Sequence, residues 1–88
     1  MFKIIRKPAE MICCFTKEGI PNPIKFRIVG EDDSWVNIKV DRVITRDIDK
    51  RAGNRIYMFQ CQSNINGIEK IYELRYVLEN CKWELFKI

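Results

Sequence analysis

The stretch on which the fold turns is Tyr57-Met58-Phe59-Gln60-Cys61-Gln62-Ser63-Asn64-Ile65-Asn66-Gly67-Ile68-Glu69-Lys70-Ile71-Tyr72-Glu73-Leu74-Arg75-Tyr76. Asn-Gly is the favoured pair for a two-residue hairpin loop, because both loop residues must adopt positive φ. With Asn66-Gly67 as that loop, Cys61 falls opposite Tyr72, Phe59 opposite Leu74 and Tyr57 opposite Tyr76. Apolar residues then meet apolar partners on a single face, which pins the register. The sequence therefore predicts strands over 55–65 and 68–77, with that face turned inward.

Downstream, Leu78-Glu79-Asn80 links to a further strand over 81–88. A loop of two or of four residues would keep Tyr72, Leu74 and Tyr76 facing Cys81, Trp83 and Leu85. Upstream, Pro21-Asn22-Pro23 imposes an extended backbone, because each proline disfavours helix at the residue before it. Ile24-Lys25-Phe26-Arg27-Ile28-Val29 then alternates as a strand with one wet face, with 24, 26 and 28 inward. Gly30-Glu31-Asp32-Asp33-Ser34 is a turn cluster. A second strand begins at Trp35, and its phase slips at Asp41-Arg42 so that Val43 and Thr45 take the inward positions, as a β-bulge would produce. Residues 47–54 read as a polar loop. The expected fold is all-β: a small five- to six-stranded antiparallel meander closing into an SH3-like or OB-like barrel.

Residues 1–22 read differently from the rest. Phe2, Ile4 and Ile5 could open a strand, Pro8 interrupts, and Met11-Ile12-Cys13-Cys14-Phe15 is a continuous apolar run that fits a strand better than a helical turn. The expected organisation is one domain over 1–88, with 1–22 packing on the sheet and 23–88 forming the barrel. A chain of 88 residues has too little interior to divide into two cores. Its 47% hydrophobic and 32% charged residues are those of a folded protein. No apolar run is long enough to cross a bilayer, and the first residues are too soon charged for a signal peptide, so a cytoplasmic location is expected, with no membrane partner.

Four cysteines and no histidine invite a metal reading that the spacing does not support. Cys13 and Cys14 are adjacent, Cys61 and Cys81 stand singly on strands, and no CxxC occurs. Reduced thiols acting as small hydrophobes are expected, with no cofactor. Without histidine the usual general base is missing, and the carboxylate pairs Glu69 with Glu73 and Asp32 with Asp33 have nothing in the sequence to perturb them. No catalytic residue is assigned, and the expectation is a non-enzymatic binding module.

Sixteen Lys and Arg against twelve Asp and Glu give a net charge of +4 and a pI near 9.0. Such a balance is compatible with DNA or RNA. Single-stranded nucleic acid asks for aromatic rings among cations on an exposed face. The nearest approaches are Trp35 beside Lys39 and Arg75 near Phe86 and Lys82, and Arg42, Arg46, Lys50, Arg51 and Arg55 supply a basic rim to which Lys25 and Arg27 add. A second candidate surface is the outward side of the hairpin, with Ile56, Met58, Ile71, Arg75 and Phe86, which is too apolar for a plain wet face; Val77 and Ile88 share its parity. Three coverings fit it: the N-terminal segment, a second copy of the chain in a homodimer, or a ligand, strand or nucleic acid.

The succession Pro23-Ile24-Lys25-Phe26, Ile38-Lys39-Val40-Asp41-Arg42-Val43, Tyr57-Met58-Phe59-Gln60-Cys61, Ile71-Tyr72-Glu73-Leu74-Arg75-Tyr76 and Lys82-Trp83-Glu84-Leu85-Phe86-Lys87-Ile88 resembles a family of small uncharacterised bacterial β-barrel domains. Some similar domains are appended to translesion DNA polymerases and others stand alone. The resemblance covers residues 23–88 and rests mostly on core positions, so it implies fold and not function. Nucleic-acid binding is the expected role, and protein–protein association or homodimerisation the alternative.

Overall fold

The computed structural model describes residues 3–50, 53 and 55–88. Seven strands run in chain order: β1 (Ile4–Phe15), β2 (Pro21–Val29), β3 (Trp35–Lys39), β4 (Arg42–Asp49), β5 (Ile56–Ile65), β6 (Ile68–Val77) and β7 (Lys82–Lys87). All neighbouring pairs are antiparallel. They form one sheet in the order β3-β2-β1-β7-β6-β5-β4.

The central hairpin has the register its turn demands. Asn66 and Gly67 both carry positive φ, 53° and 81°, and Cys61, Phe59 and Tyr57 stand opposite Tyr72, Leu74 and Tyr76. Pairing of Val77 with Lys82 makes the next connection a four-residue loop, closed by Cys81 in the left-handed region at φ 56°. Phe59, Cys61, Tyr72, Leu74, Trp83 and Leu85 are buried from this half, and Phe26, Ile28 and Ile38 from β2 and β3. The sheet curls to bring the two sets together, so that the rings of Phe26 and Tyr72 lie 5.6 Å apart. Each large side chain buried in this way contributes about 1.5–3 kcal/mol.

Four expectations are corrected. First, the sheet has seven strands and is not closed into a barrel. The long second strand divides at Val40–Asp41, where the chain leaves one neighbour for another: the Val40 amide donates to Ile24 O at 2.9 Å and the Asp41 amide to Gln62 O at 3.1 Å. The halves on either side of that corner, β3 and β4, become the two ends of the sheet and do not pair with each other.

Second, the N-terminal segment is a sheet member and not a layer over it. β1 lies between β2 and β7, with Met11 opposite Phe26 and Ala9 opposite Trp83. Alternation hidden by Pro8 explains this placement: Ile5, Ala9, Met11 and Cys13 pack on the core, and Ile4 and Ile12 face outward. Phe2 lies outside the described residues.

Third, β4 runs on to Asp49, into the stretch expected as the 47–54 loop, and its phase is opposite to the one expected beyond Val43. The register shifts between Val43 and Thr45, which sets Thr45 beside the outward Gln60 and Arg46 beside the inward Phe59. Fourth, two further shifts move single residues. Ile12 pairs with Lys25 and Cys13 with Pro23, so Ile24 is the extra residue of a bulge and is exposed. Leu85 pairs with Leu74 and Lys87 with Glu73, so Phe86 is extra and Ile88 turns onto the core.

Candidate nucleic-acid interface

The outer side of β1, β2 and β3 brings together an aromatic ring, three cations and two clefts. On β2 the buried Phe26 and Ile28 alternate with exposed Lys25, Arg27 and Val29, and on β3 Trp35, Asn37 and Lys39 alternate with Val36 and the buried Ile38. The turn before β3 positions Trp35. The Asp32 carboxylate accepts from the Ser34 amide at 3.2 Å and the Ser34 hydroxyl at 2.5 Å, and these bonds hold its pKa below the ordinary value. Gly30 and Ser34 close the turn, amide to carbonyl, at 2.7 Å.

Cross-strand pairing arranges this face in three rows. Val29 stands opposite Trp35, Arg27 between Asn37 and Glu10, and Lys25 between Lys39 and Ile12. In the middle row Arg27 donates from Nε to Glu10 Oε1 at 2.8 Å, with a terminal guanidinium nitrogen 2.7 Å from the same oxygen. Its Cζ also lies 4.1 Å from the centre of the Trp35 ring. Trp35 is nevertheless 47% exposed. The guanidinium thus joins carboxylate and indole, and holds the ring against the sheet by cation–π attraction.

The third row is electrostatically adverse. Lys25 and Lys39 are directly opposed, both are exposed, and neither has an anionic partner among the described residues. Like charges so placed destabilise a strand pair. An anion laid across them would turn that repulsion into attraction.

The Arg27–Glu10 pair separates the two clefts. One, of about 340 Å³, is bounded by Met11, Ile12, Lys25, Phe26, Arg27 and Asn37 with Glu10. The other, of about 330 Å³, is bounded by Lys7, Pro8, Ala9, Val29, Trp35 and again Glu10. Lys7 donates from Nζ to Val29 O at 3.0 Å, which ties β1 to the end of β2 across this cleft.

The basic residues read from the sequence do not form one surface. Trp35 and Lys39 lie on the face just described. Arg42 stands beside Gln62 on the outer side of the sheet's other end. Arg46 is on the opposite side of β4, where its guanidinium donates to Asn22 Oδ1 at 2.9 Å and bridges β4 to β2. Arg42 and Arg46 both border a shallow cleft at the Val40–Asp41 corner. Lys50 follows β4, Arg55 lines a separate depression with Gly53, Leu78 and Glu79, and Arg51 lies outside the described residues. Nothing in the sequence places Glu10 and Lys7 on this face, because Pro8 interrupts the alternation of the strand that carries them. Strict alternation of Lys25 and Arg27 with Phe26 and Ile28 was the signal that could have placed both cations beside Trp35.

On the opposite half, the outward residues are Ile56, Met58, Ile71, Arg75 and Phe86, and Phe86 lies under a charged group of its own. The Arg75 guanidinium lies flat on Phe86, Cζ 3.4 Å from the ring centre. Its Nε donates to Glu73 Oε2 at 2.5 Å, Lys87 reaches Glu73 at 3.7 Å, and Arg6 lies 3.8 Å from Glu84. Ile56, Met58 and Phe86 are half-buried. Ile71 is the open member, 42% exposed.

No cluster of three or more His, Cys, Asp or Glu side chains suited to a metal occurs among the described residues. All four thiols are free, and no helix among the described residues is long and apolar enough to cross a membrane. Comparison with protein-family models, curated sequences and solved structures finds no match for the chain.

Proposed function

We propose that the protein is a binding module for single-stranded nucleic acid, which lies across the outer face of β1, β2 and β3. The observation that carries this reading is the opposed pair Lys25 and Lys39 on the same face as the exposed, Arg27-stacked ring of Trp35. Stacking on an aromatic side chain holds a base without regard to pairing, and paired lysines neutralise the adjoining phosphates. The overall charge of +4 favours the same partner at long range.

The reading is tested by fluorescence anisotropy with labelled single-stranded oligonucleotides over a salt series. Affinity is expected to fall as salt rises, and the double variant Lys25→Glu/Lys39→Glu to reduce the log–log salt slope by roughly 0.7 per lost phosphate contact. Absence of binding at low salt, or a salt slope unchanged in the double variant, would remove this function. Association with a second protein chain through the surface around Ile56, Met58, Ile71, Arg75 and Phe86 is the competing role. It would have to displace or engage the Arg75–Glu73–Lys87 layer.

A further inference from the structure

Resting on the nucleic-acid reading, we infer that the cleft between Trp35 and Glu10 takes a single unpaired base and prefers one bearing an amino group, cytosine above all, over thymine or uracil. Three observations meet there. The cleft is walled by Pro8, Ala9 and Val29 with the Trp35 ring at one side, an apolar slot suited to the flat face of a base. A slot of about 330 Å³ is at the small end of ligand-sized cavities.

Glu10 is the acidic group of its lining. Both contacts from Arg27 fall on Oε1, which leaves Oε2 as an acceptor held in place by an ion pair that does not consume it. A carboxylate oxygen recognises the N4 amino group of cytosine. Thymine and uracil present carbonyl oxygens where cytosine presents that donor, so the same carboxylate repels them. Lys7, across the slot, is held by Val29 O and carries the charge that meets the flanking phosphate.

The neighbouring cleft shares the Glu10 carboxylate but sets two cations beside it. Its cations Lys25 and Arg27 and the amide of Asn37 suit the sugar-phosphate backbone. The Arg27–Glu10 pair is thus the partition between a base-holding slot and a phosphate-holding one.

The test compares oligocytidylate with oligothymidylate of equal length, at one salt concentration, on the wild type and on Glu10→Gln, by anisotropy and by quenching of indole fluorescence. Trp35 is the open indole, and Trp83 is buried. Wild type is expected to bind the cytidine strand more tightly, on the order of five-fold or more for a specific base contact. The variant, whose amide both donates and accepts, is expected to bring the ratio close to one, whatever it does to affinity as a whole. Equal affinities in the wild type would overturn the inference and leave nucleic-acid binding standing, as would a preference that survives Glu10→Gln. Failure to bind either strand would overturn both.

Discussion

The hydroxyls of Ser63 and Tyr72 lie 2.5 Å apart in the interior, and the Ser63 hydroxyl is also 2.6 Å from the carbonyl oxygen of Lys39. Ser63 therefore ties three strands at the point where the sheet bends. β5 and β6 are already paired through it, and the Lys39 contact fixes the end of β3, next to the corner from which β4 departs. One proton donor more than a simple pair is required, and the two hydroxyls supply it: Tyr72 donates to Ser63, and Ser63 to Lys39 O.

Loss of that link should be costly. Ser63→Ala leaves a buried phenol and a carbonyl unsatisfied, and is expected to destabilise the fold by about 1–3 kcal/mol. Tyr72→Phe should cost a similar amount, and the double variant less than the sum of the two. Urea denaturation of the three variants measures the coupling, and strict additivity would mean that the two hydroxyls act separately.

Alkali should unfold the protein earlier than its surface charge suggests. Burial pushes the Cys61 thiol from the ordinary 9.0 up to about 12, and burial also raises the Tyr72 phenol. The folded state then keeps a proton that the unfolded chain releases above pH 9, so stability present below that pH declines as pH rises towards 12. The slope is about 1.4 kcal/mol per pH unit for one such group. Urea midpoints measured across this range should fall less steeply for Cys61→Ala than for wild type; equal slopes would show that Cys61 titrates alike in both states.

The hairpin around Asn66-Gly67 was legible because turn chemistry and alternation agree there, and the buried set Phe59, Cys61, Tyr72, Leu74, Trp83 and Leu85 follows from them. What escaped depends on single extra residues and on distant pairing. Ile24, Ile44 and Phe86 each stand at a register shift, and an apolar residue at a bulge looks no different in sequence from one in phase. Residues 11–15 were legible as strand, but the length of β1 and its place in the sheet were not, because Pro8 breaks its pattern and its partners, β2 and β7, stand before and after the main hairpin. Trp35 and Lys39 were legible as an exposed pair, but the adverse apposition of Lys25 with Lys39 depends on which residues face one another across the β2–β3 turn.

Arg75 is expected to protect the outer face of the hairpin. Its guanidinium covers Phe86 and is fixed by Glu73, so Arg75→Ala removes a cation–π contact worth about 0.5–2 kcal/mol and bares an aromatic ring. A lowered urea midpoint, together with greater binding of a hydrophobic dye than in Lys82→Ala, would be the signature. Unchanged dye binding would mean that Phe86 stays covered by other groups.

The lysine pair should show a conflict between folding and binding. In the absence of ligand, Lys25→Thr relieves the repulsion from Lys39 and places a β-branched residue on the strand, and is expected to gain about 0.2–1 kcal/mol at low salt. Much of that gain should disappear as salt screens the exposed charges. The same substitution removes a phosphate contact, so affinity for single strands should drop as stability rises. If Lys25→Thr is no more stable than wild type at low salt, the two ammonium groups are far enough apart to ignore each other, and their apposition no longer argues for an anionic partner.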